Sequence, residues 1–329
     1  MSLKKITAIL LLGLLFAGCR EASQAPAGPR EKIVIDLALP QACLVQLAFA
    51  NGYFANEGLD ATLRLQTSGK AALQGVLAGN ADLATVSETP IVFARLAGRP
   101  VAIIATVGTA SKNLAVVARK DQGINRPANL QGKKVGITLG TNAEFFLDTI
   151  SIANGIGRDR IMIVNLEPEG MLPALVSGQV DAVATWEPQV IRLQMELGNR
   201  GVTFYNEELY TENFNLVTTP DYVAQHPETV QKLLRALVKA EKFAQQNPGE
   251  ARRILAESSG LDLALVNAVW DSFDLRVTLQ QSLVIALEDQ ARWATQRTRN
   301  EAVRIHDYQA DIYPLGLLAV KPEAVRLIR

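Results

Sequence analysis

Cysteine and histidine are both scarce in this chain. Its 329 residues include only Cys19 and Cys43, and only His226 and His306. Two cysteines cannot build the disulfide framework of a small secreted scaffold. No His or carboxylate cluster has metal-ligand spacing, so we expect no metal. The sequence also lacks five common motifs: Walker A, GxGxxG after a strand, HExxH, CxxC and GxSxG. No familiar catalytic motif or cofactor site is therefore predicted.

Net charge is absent as well. Lys and Arg together number 33, Asp and Glu together number 33, and no basic stripe occurs, so nucleic acid is not expected as a partner. Beyond the first twenty residues, no apolar run is long enough to span a bilayer. With 48% hydrophobic and 20% charged residues, the composition is that of a globular protein with a full-sized core.

The amino-terminal residues have the pattern of a secretory leader. Lys4 and Lys5 precede an apolar run over residues 6–16, and small residues follow before Cys19. An ordinary cleaved leader with a chance cysteine is one interpretation. The stretch also resembles the lipobox of bacterial lipoproteins, although Phe16 stands where that motif usually has Leu.

The lipobox resemblance implies a signal peptide over residues 1–18 and a lipid anchor on Cys19. Residues 19–31 would then hold this lipidated cysteine and a flexible tether rich in Ala, Pro, Gly and Ser. The protein is accordingly expected to be exported and anchored to the cell membrane, facing the periplasm or the cell exterior. Cys43 has no partner in that case, and its apolar surroundings predict a buried, inert thiol.

Strand and helix patterns alternate through the next two hundred residues. Strands are predicted at 33–39, 60–66, 81–86, 101–107 and 114–119, and again at 134–138, 162–166, 182–185 and 202–205, with helices between most of them. From Thr219 onward the pattern is mainly helical. This order predicts an α/β protein with mostly parallel sheets flanked by helices.

Polar residues collect where the predicted strands end, which is where open α/β sheets bind ligands. Ser68-Gly69 and Gly140-Thr141-Asn142 each open a helix, so their backbone N–H groups could hold an anionic group or they could simply be helix caps. Trp186 could pack in the core or offer a stacking surface. Glu88 and Glu187 could be hinge acceptors, ligand-binding groups or an acid/base pair, the last being least favoured without an electrophile.

Neither histidine is expected to be catalytic. His226 precedes Pro227 at a helix start, which predicts a capping or surface role. His306 lies beside Asp307, but no nucleophile is indicated near this pair, and we expect a surface role.

Four stretches resemble the solute-binding proteins of bacterial ABC importers in the nitrate, sulfonate, taurine and thiamine-pyrimidine branch. They lie at residues 47–60, 79–90, 130–142 and 178–188. The resemblance covers nearly all of the chain after the leader and is weakest after about Ala256.

The resemblance implies the two-lobed type II periplasmic binding fold, with two crossing strands as the hinge. Lobe one would comprise residues 32–113 and 214–329, and lobe two residues 114–213. Such a protein captures a small polar organic molecule, sulfonate-, taurine- or pyrimidine-like, between its lobes and delivers it to an ABC permease with its ATPase. It would be a monomer and not an enzyme.

The residues carried over to the solute site are Gln41, Ser68, Gly69, Ser87, Glu88, Thr89, Thr141, Asn142, Ala143, Trp186 and Glu187. Lys70 could add a positive charge, but a solvated lysine on a helix is the preferred interpretation. Because no Arg stands in the matched site stretches, an anion would depend on backbone N–H groups and hydroxyls. Nitrate or a simple sulfonate is therefore not assured.

Two other functions remain open. The first is an enzyme on the same fold, either a pyrimidine-precursor synthase or a chorismate dehydratase-like protein. The pyrimidine enzymes carry a cysteine-rich motif that this chain lacks, and they are not lipoproteins. The second is a sensor lipoprotein that presents its ligand to a receptor kinase, which the sequence does not separate from a transport protein.

Overall fold

A computed structural model describes residues 28–205, 207–208, 210–297 and 306–328. The predicted leader, Cys19 and most of the predicted tether lie outside the described residues. Among the described residues, no helix is both long enough and apolar enough to cross a bilayer.

The strands are β1 (Glu31–Leu37), β2 (Leu59–Leu65), β3 (Leu83–Val86), β4 (Ala102–Ala110), β5 (Leu114–Arg119), β6 (Lys134–Ile137), β7 (Met162–Asn165), β8 (Ala182–Trp186), β9 (Gly201–Phe204), β10 (Glu212–Thr218), β11 (Phe273–Asp274), β12 (Leu279–Gln280) and β13 (Val325–Arg326). The helices are α1 (Cys43–Ala50), α2 (Tyr53–Asn56), α3 (Gly69–Leu77), α4 (Glu88–Leu96), α5 (Asn142–Ala153), α6 (Pro168–Ser177), α7 (Gln189–Leu197), α8 (Pro220–Gln225), α9 (Pro227–Gln246), α10 (Pro248–Ser259), α11 (Leu263–Val269), α12 (Gln281–Arg297) and α13 (Leu315–Val320).

Two large sheets organise most of these elements, while β12 and β13 form a separate parallel pair. The first has the order β11-β4-β10-β3-β1-β2, and the second has the order β7-β6-β8-β5-β9. Strands β3, β1 and β2 are parallel, as are β7, β6 and β8. We call the body around the first sheet lobe one and the body around the second sheet lobe two. The predicted α/β class with helix-flanked sheets is confirmed.

Antiparallel strands join these parallel parts where the chain passes between the lobes. Strand β10 is antiparallel to β3 and β4, and β5 is antiparallel to β8 and β9. The chain leaves the first sheet after Ala110 and enters the second at Leu114, and it returns between Phe204 and Glu212. The exact lobe boundaries at 113/114 and 213/214 remain predictions.

Strand β10 is the main element that the sequence patterns did not indicate. Its sequence, ENFNLVT, is buried at every position, so it has no two-residue alternation. Its buried amides are satisfied by tertiary contacts; Thr106 Oγ1, for example, donates to Asn215 Oδ1 at 2.9 Å. Because those partners are distant in sequence, the local pattern of β10 did not predict a strand.

Each lobe has its own apolar core. In lobe one, α1 and α9 contact each other on one side of the sheet, and the amphipathic α9 buries Leu233, Leu234 and Leu237 in that core. In lobe two, apolar clusters form on each side of the sheet, one with α5 and the other with α6 and α7. Two independent cores allow the lobes to move as rigid bodies, as hinge closure requires.

Candidate functional site

A small polar cavity lies between the two lobes, beyond the carboxyl ends of β1, β3, β6 and β8. Its open volume is about 260 Å³, which restricts an occupant to a small molecule. The residues that line it are Gln41, Ser68, Gly69, Lys70, Ser87, Pro90, Thr141, Asn142, Trp186 and Glu212. The position agrees with the rule that ligands of open α/β sheets bind beyond these strand ends.

Three helices begin at this cavity. Ser68, Ser87 and Thr141 are the N-cap residues of α3, α4 and α5. At α3, Ser68 Oγ accepts a hydrogen bond from Ala71 N at 3.2 Å. Gly69 keeps the first turn of this helix against β3, because a Cβ on this residue would lie 3.2 Å from Val86 Cα. The N–H groups in the first turn of a helix have no partner within that helix. The helix N-termini at the cavity therefore favour a ligand with hydrogen-bond acceptors or a negative charge.

A chain of hydrogen bonds runs from the cavity wall to a buried carboxyl group. One orientation of the Gln41 amide gives hydrogen-bond partners to both its nitrogen and its oxygen. In that orientation Nε2 donates to the carbonyl oxygens of Ala38 and Leu39, and Oε1 accepts from Ser87 Oγ at 3.1 Å. Ser87 Oγ also lies 2.5 Å from Glu212 Oε1. A hydroxyl has one proton to donate, so both contacts are satisfied when Glu212 is protonated and donates to Ser87.

Glu212 and Glu88 form a pair of buried carboxyl groups. Burial, and secondly repulsion from Glu88, raise the pKa of Glu212 to about 8. Burial also raises the pKa of Glu88, and hydrogen-bond donors oppose that shift. Glu88 accepts four hydrogen bonds from neighbouring donors, whereas the partners of Glu212 among the described residues are Ser87 Oγ and Asn113 Nδ2. We therefore place the proton of this pair on Glu212 at neutral pH.

Asn142 connects Glu88 across the cleft to lobe two. Its Nδ2 donates to Glu88 Oε2 at 3.0 Å and its Oδ1 accepts from Thr89 N at 3.2 Å. Asn142 Nδ2 also contacts the hydroxyl of Tyr210, which donates to Glu88 Oε2 at 2.8 Å. Gln290 of α12 completes the network, accepting from Thr89 Oγ1 at 2.5 Å. Asn142 thus lines the cavity and also joins the two lobes through its hydrogen bonds to Glu88 and Thr89, which we call the Asn142 latch.

Further contacts hold the lobes together along α5 and α12. Trp293 Nε1 donates to Asp148 Oδ2 at 2.8 Å. Arg297 pairs with Glu144 at 2.5 Å. Near the cavity, the exposed Lys70 donates from Nζ to the carbonyl oxygen of Leu139 at 2.8 Å. Lys70 is thus exposed, as expected, but also bridges the lobes, so the structure describes the arrangement with the lobes in contact.

Trp186 and Glu187 point to different places although they are adjacent. Trp186 is 7% exposed; it packs against the core of lobe two and also lines the cavity, and its contact with a solute remains a prediction. Glu187 lies instead in a second cavity, described below. Burial raises its pKa to about 7, while Ile191 N donates to its Oε2 at 3.1 Å.

The structure brings most of the predicted site residues to the cavity wall. Gln41, Ser68, Gly69, Ser87, Thr141, Asn142 and Trp186 line it. Glu88 and Thr89 lie behind the wall in the hydrogen-bond network, and Ala143 is fully buried in the core of lobe two. Whether any of these residues binds a solute remains a prediction.

Sequence reasoning missed Glu212, Pro90 and the supporting residues Asn113, Tyr210 and Gln290. Glu212 belongs to β10, whose pattern did not indicate a strand, and Gln290 is one polar residue in a long helix. The one available signal was the pair of asparagines at 213 and 215 beside Glu212, which is unusual in a segment with buried Phe and Leu.

The thiol of Cys43 and the two histidines do not line this cavity. Cys43 is half-buried, donates to the carbonyl oxygen of Pro40 at 3.1 Å, and has a pKa raised by burial to about 12. Its thiol is therefore protonated and a poor nucleophile. His226 lies near Glu31, and His306 pairs with Asp311 at 2.9 Å rather than with Asp307. No group of three His, Cys, Asp or Glu side chains among the described residues is arranged to hold a metal ion.

Several known proteins with similar sequences are named as binding proteins. A formylaminopyrimidine-binding protein of Halalkalibacterium halodurans is 27% identical over 263 residues, which cover 76% of this chain and 78% of the relative. The taurine-binding periplasmic protein of Escherichia coli is 22% identical over 209 residues, covering 62% of this chain and 63% of that protein.

Solved structures share the fold. The alkanesulfonate-binding protein SsuA from Xanthomonas axonopodis pv. citri, bound to MOPS, has a TM-score of 0.76 at 19% identity and covers 88% of this chain and 100% of that chain. The desulfurization enzyme DSZB has a TM-score of 0.63 at 15% identity, covering 89% and 99%. The predicted two-lobed binding-protein fold is thus confirmed. The family described as NMT1/THI5 like matches residues 40–251, well over half of the sequence, and the chain belongs to that family.

Proposed function

We propose that this protein is an extracytoplasmic solute-binding lipoprotein that captures a small polar organic molecule between its lobes and delivers it to an ABC importer. The observation that carries the proposal is the small cavity built from both lobes at the amino ends of α3, α4 and α5. Relatives that bind formylaminopyrimidine and taurine support the same class of function.

The chemistry of the cavity favours a solute with both acceptor and donor groups. The helix N-termini at Ser68 and Thr141 suit a sulfonate or another acceptor. Glu212 and the amide of Gln41 lie on the same wall and can receive an N–H or O–H group. Trp186 offers a ring surface against a flat or aliphatic solute. Taurine-like and aminopyrimidine-like molecules carry this combination, whereas nitrate carries only acceptors.

Capture would depend on closure of the two lobes. A solute in the cavity contacts Ser68 of lobe one and Thr141 of lobe two at the same time. It therefore binds the closed arrangement better and shifts the population toward it, aided by the Asn142 latch. The closed form is the one that the permease and its ATPase would recognise.

Binding is tested with the chain from residue 20, screened by thermal shift and calorimetry against taurine, alkanesulfonates, aminopyrimidines and nitrate. We expect saturable stabilisation by an organic solute without turnover. Thr141→Val, at the N-cap of α5, should weaken that binding, whereas Thr149→Val, the same change within α5 and away from the cavity, should not. Formation of a product, or equal effects of the two variants, would contradict the proposal.

We also propose that the mature protein is held on the membrane by lipid on Cys19, with residues 19–31 as the tether. The anchor would keep the protein at a high effective concentration beside its permease. Metabolic labelling with a fatty-acid analogue and membrane fractionation test this. The Cys19→Ala variant should lose both the label and the membrane association, and a variant that keeps both would contradict the anchor.

An enzyme on the same fold is the second candidate, favoured by the likeness to a desulfurization enzyme. The protonated thiol of Cys43 and the distant histidines argue against covalent or His-based catalysis. The relatives are named as binding proteins. Incubating the screened solutes with the protein and analysing them by mass spectrometry separates the two functions.

A further inference from the structure

A second cavity lies between the lobes, on the other side of the segments that border the polar cavity. Its open volume of about 540 Å³ includes the solvent at its mouth. Lobe one provides apolar side chains of α10 and α11, including Leu255 and Val266, and lobe two provides Pro188 and Ile191. Trp270 adds an aromatic side chain to this wall.

The two cavities are separate compartments. They have no lining residue in common. Gln41 and Trp186 face the polar cavity, while their chain neighbours Pro40 and Glu187 face the apolar one. All four residues are buried, so they form a wall between the compartments. A molecule in the apolar cavity is therefore a second ligand and not the tail of a solute in the first.

Two acceptor groups in this apolar cavity lack a full set of partners. Gln46 is 5% exposed, and its Oε1 has no hydrogen-bond partner among the described residues. Glu187 uses Oε2 to accept from Ile191 N, and among the described residues no hydrogen bond reaches its Oε1. Of the two, only Gln46 Oε1 is a fully buried atom without a partner, which costs about 1–3 kcal/mol, a penalty that a ligand donor would remove.

The walls also restrict the charge of an occupant. The described residues that line the cavity include no Lys, Arg or His, so an anion would have no partner among them. The aromatic side chains of Trp270 and Phe273 and the surrounding aliphatic groups suit an uncharged ring. We infer that this cavity is a second ligand site, which takes a small, uncharged cyclic molecule whose N–H or O–H group donates to Gln46 Oε1.

Phenol is a suitable probe, with toluene as the analogue that lacks the donor and benzoate as the charged analogue. The chain has three tryptophans, at 186, 270 and 293, so labelling with 5-fluorotryptophan gives one fluorine resonance for each region. Phenol should shift the Trp270 resonance saturably and leave that of Trp293 unchanged. Benzoate should bind at least about tenfold more weakly than phenol.

Two variants test the assignment. Gln46→Met keeps the side-chain volume but removes the acceptor, so the affinity for phenol should fall about tenfold while that for toluene is unchanged. Ile191→Phe narrows the cavity and should abolish the phenol shift; Ile152→Phe, on the exposed surface of α5, is the matched control.

Several results would overturn the inference. One is the absence of a saturable shift at Trp270 up to the solubility of phenol. Others are a shift confined to Trp186, which would place phenol in the polar cavity, and equal binding in the Ile191→Phe variant and the control. Equal affinities of the protein for phenol and for toluene would show that a hydrogen-bond acceptor in the cavity does not contribute to binding.

Discussion

Replacement of Glu212 by glutamine should make the protein more stable at neutral and alkaline pH. Glu212→Gln keeps the shape of the side chain and removes its ionisable group. The new amide nitrogen can donate to Ser87 Oγ and the remaining oxygen can accept from Asn113 Nδ2, as the protonated carboxyl group does. The variant thus retains the hydrogen bonds while it avoids a buried charge beside Glu88.

The magnitude follows from the pKa of Glu212, which rises from 4.5 to about 8 in the folded protein. Because the folded pKa is raised, the unfolded chain releases this proton as the pH passes 4.5, and the folded chain retains it until about pH 8. Folding therefore loses about 1.4 kcal/mol for each pH unit in this window, or about 3–4 kcal/mol between pH 5 and pH 8. The variant has no such loss at this position.

The assay is urea denaturation of both proteins at pH 5, 6.5 and 8. Other titrating groups are common to both chains, so the difference in free energy of unfolding mainly isolates Glu212. We expect the variant to be about 1 kcal/mol more stable at pH 5 and about 4 kcal/mol more stable at pH 8. Glu169→Gln, an exposed position in the first turn of α6, serves as the control and should show little change. A difference that stays constant with pH, or a variant that is less stable at pH 8, would refute the reasoning.

Three further predictions concern single side chains. Asn142→Ala removes a donor to Glu88 and the acceptor of Thr89 N, so it should destabilise the protein by about 2–4 kcal/mol in urea and increase the radius of gyration in solution scattering; an unchanged radius would argue against a latch. Trp186→Ala should weaken solute affinity at least about tenfold in calorimetry, and unchanged affinity would leave Trp186 with a core role only. Cys43 in the folded protein should react with iodoacetamide at pH 8 at least about 100-fold more slowly than in urea, because burial raises its pKa to about 12. Mass spectrometry measures both rates, and equal rates would contradict a buried environment for this thiol.

Much of the fold could be predicted because its signals are local. The strand patterns at β1, β2 and β3 and the polar residues that follow them depend on neighbours in sequence, and the helix starts at Ser68 and Thr141 were indicated by cap residues. The strand β10 could not be predicted in this way. Its Glu and Asn residues are buried only because Ser87, Asn113 and Thr106 come from other elements to bond them.

The candidate site also combines features that local sequence patterns predicted with features that they did not. Trp186 and Glu187 were predicted together at the end of one strand, and Gln41, which follows Pro40, at the end of another, yet adjacent side chains at these strand-to-turn junctions face different cavities. One member of each pair therefore faces the polar cavity and the other faces the apolar one. Ala143 turns into the core because it lies on the buried side of α5.

The sequence by itself determined the α/β order, the clusters at the strand ends and the predicted exported, anchored location, because each of these is encoded by short patterns of residue type. Only the tertiary structure decided which polar groups share a cavity, that Glu212 lies beside Glu88, and that the cleft has two compartments. Those features depend on contacts between residues that are tens to more than a hundred positions apart, and their energies arise only when burial removes water from both partners.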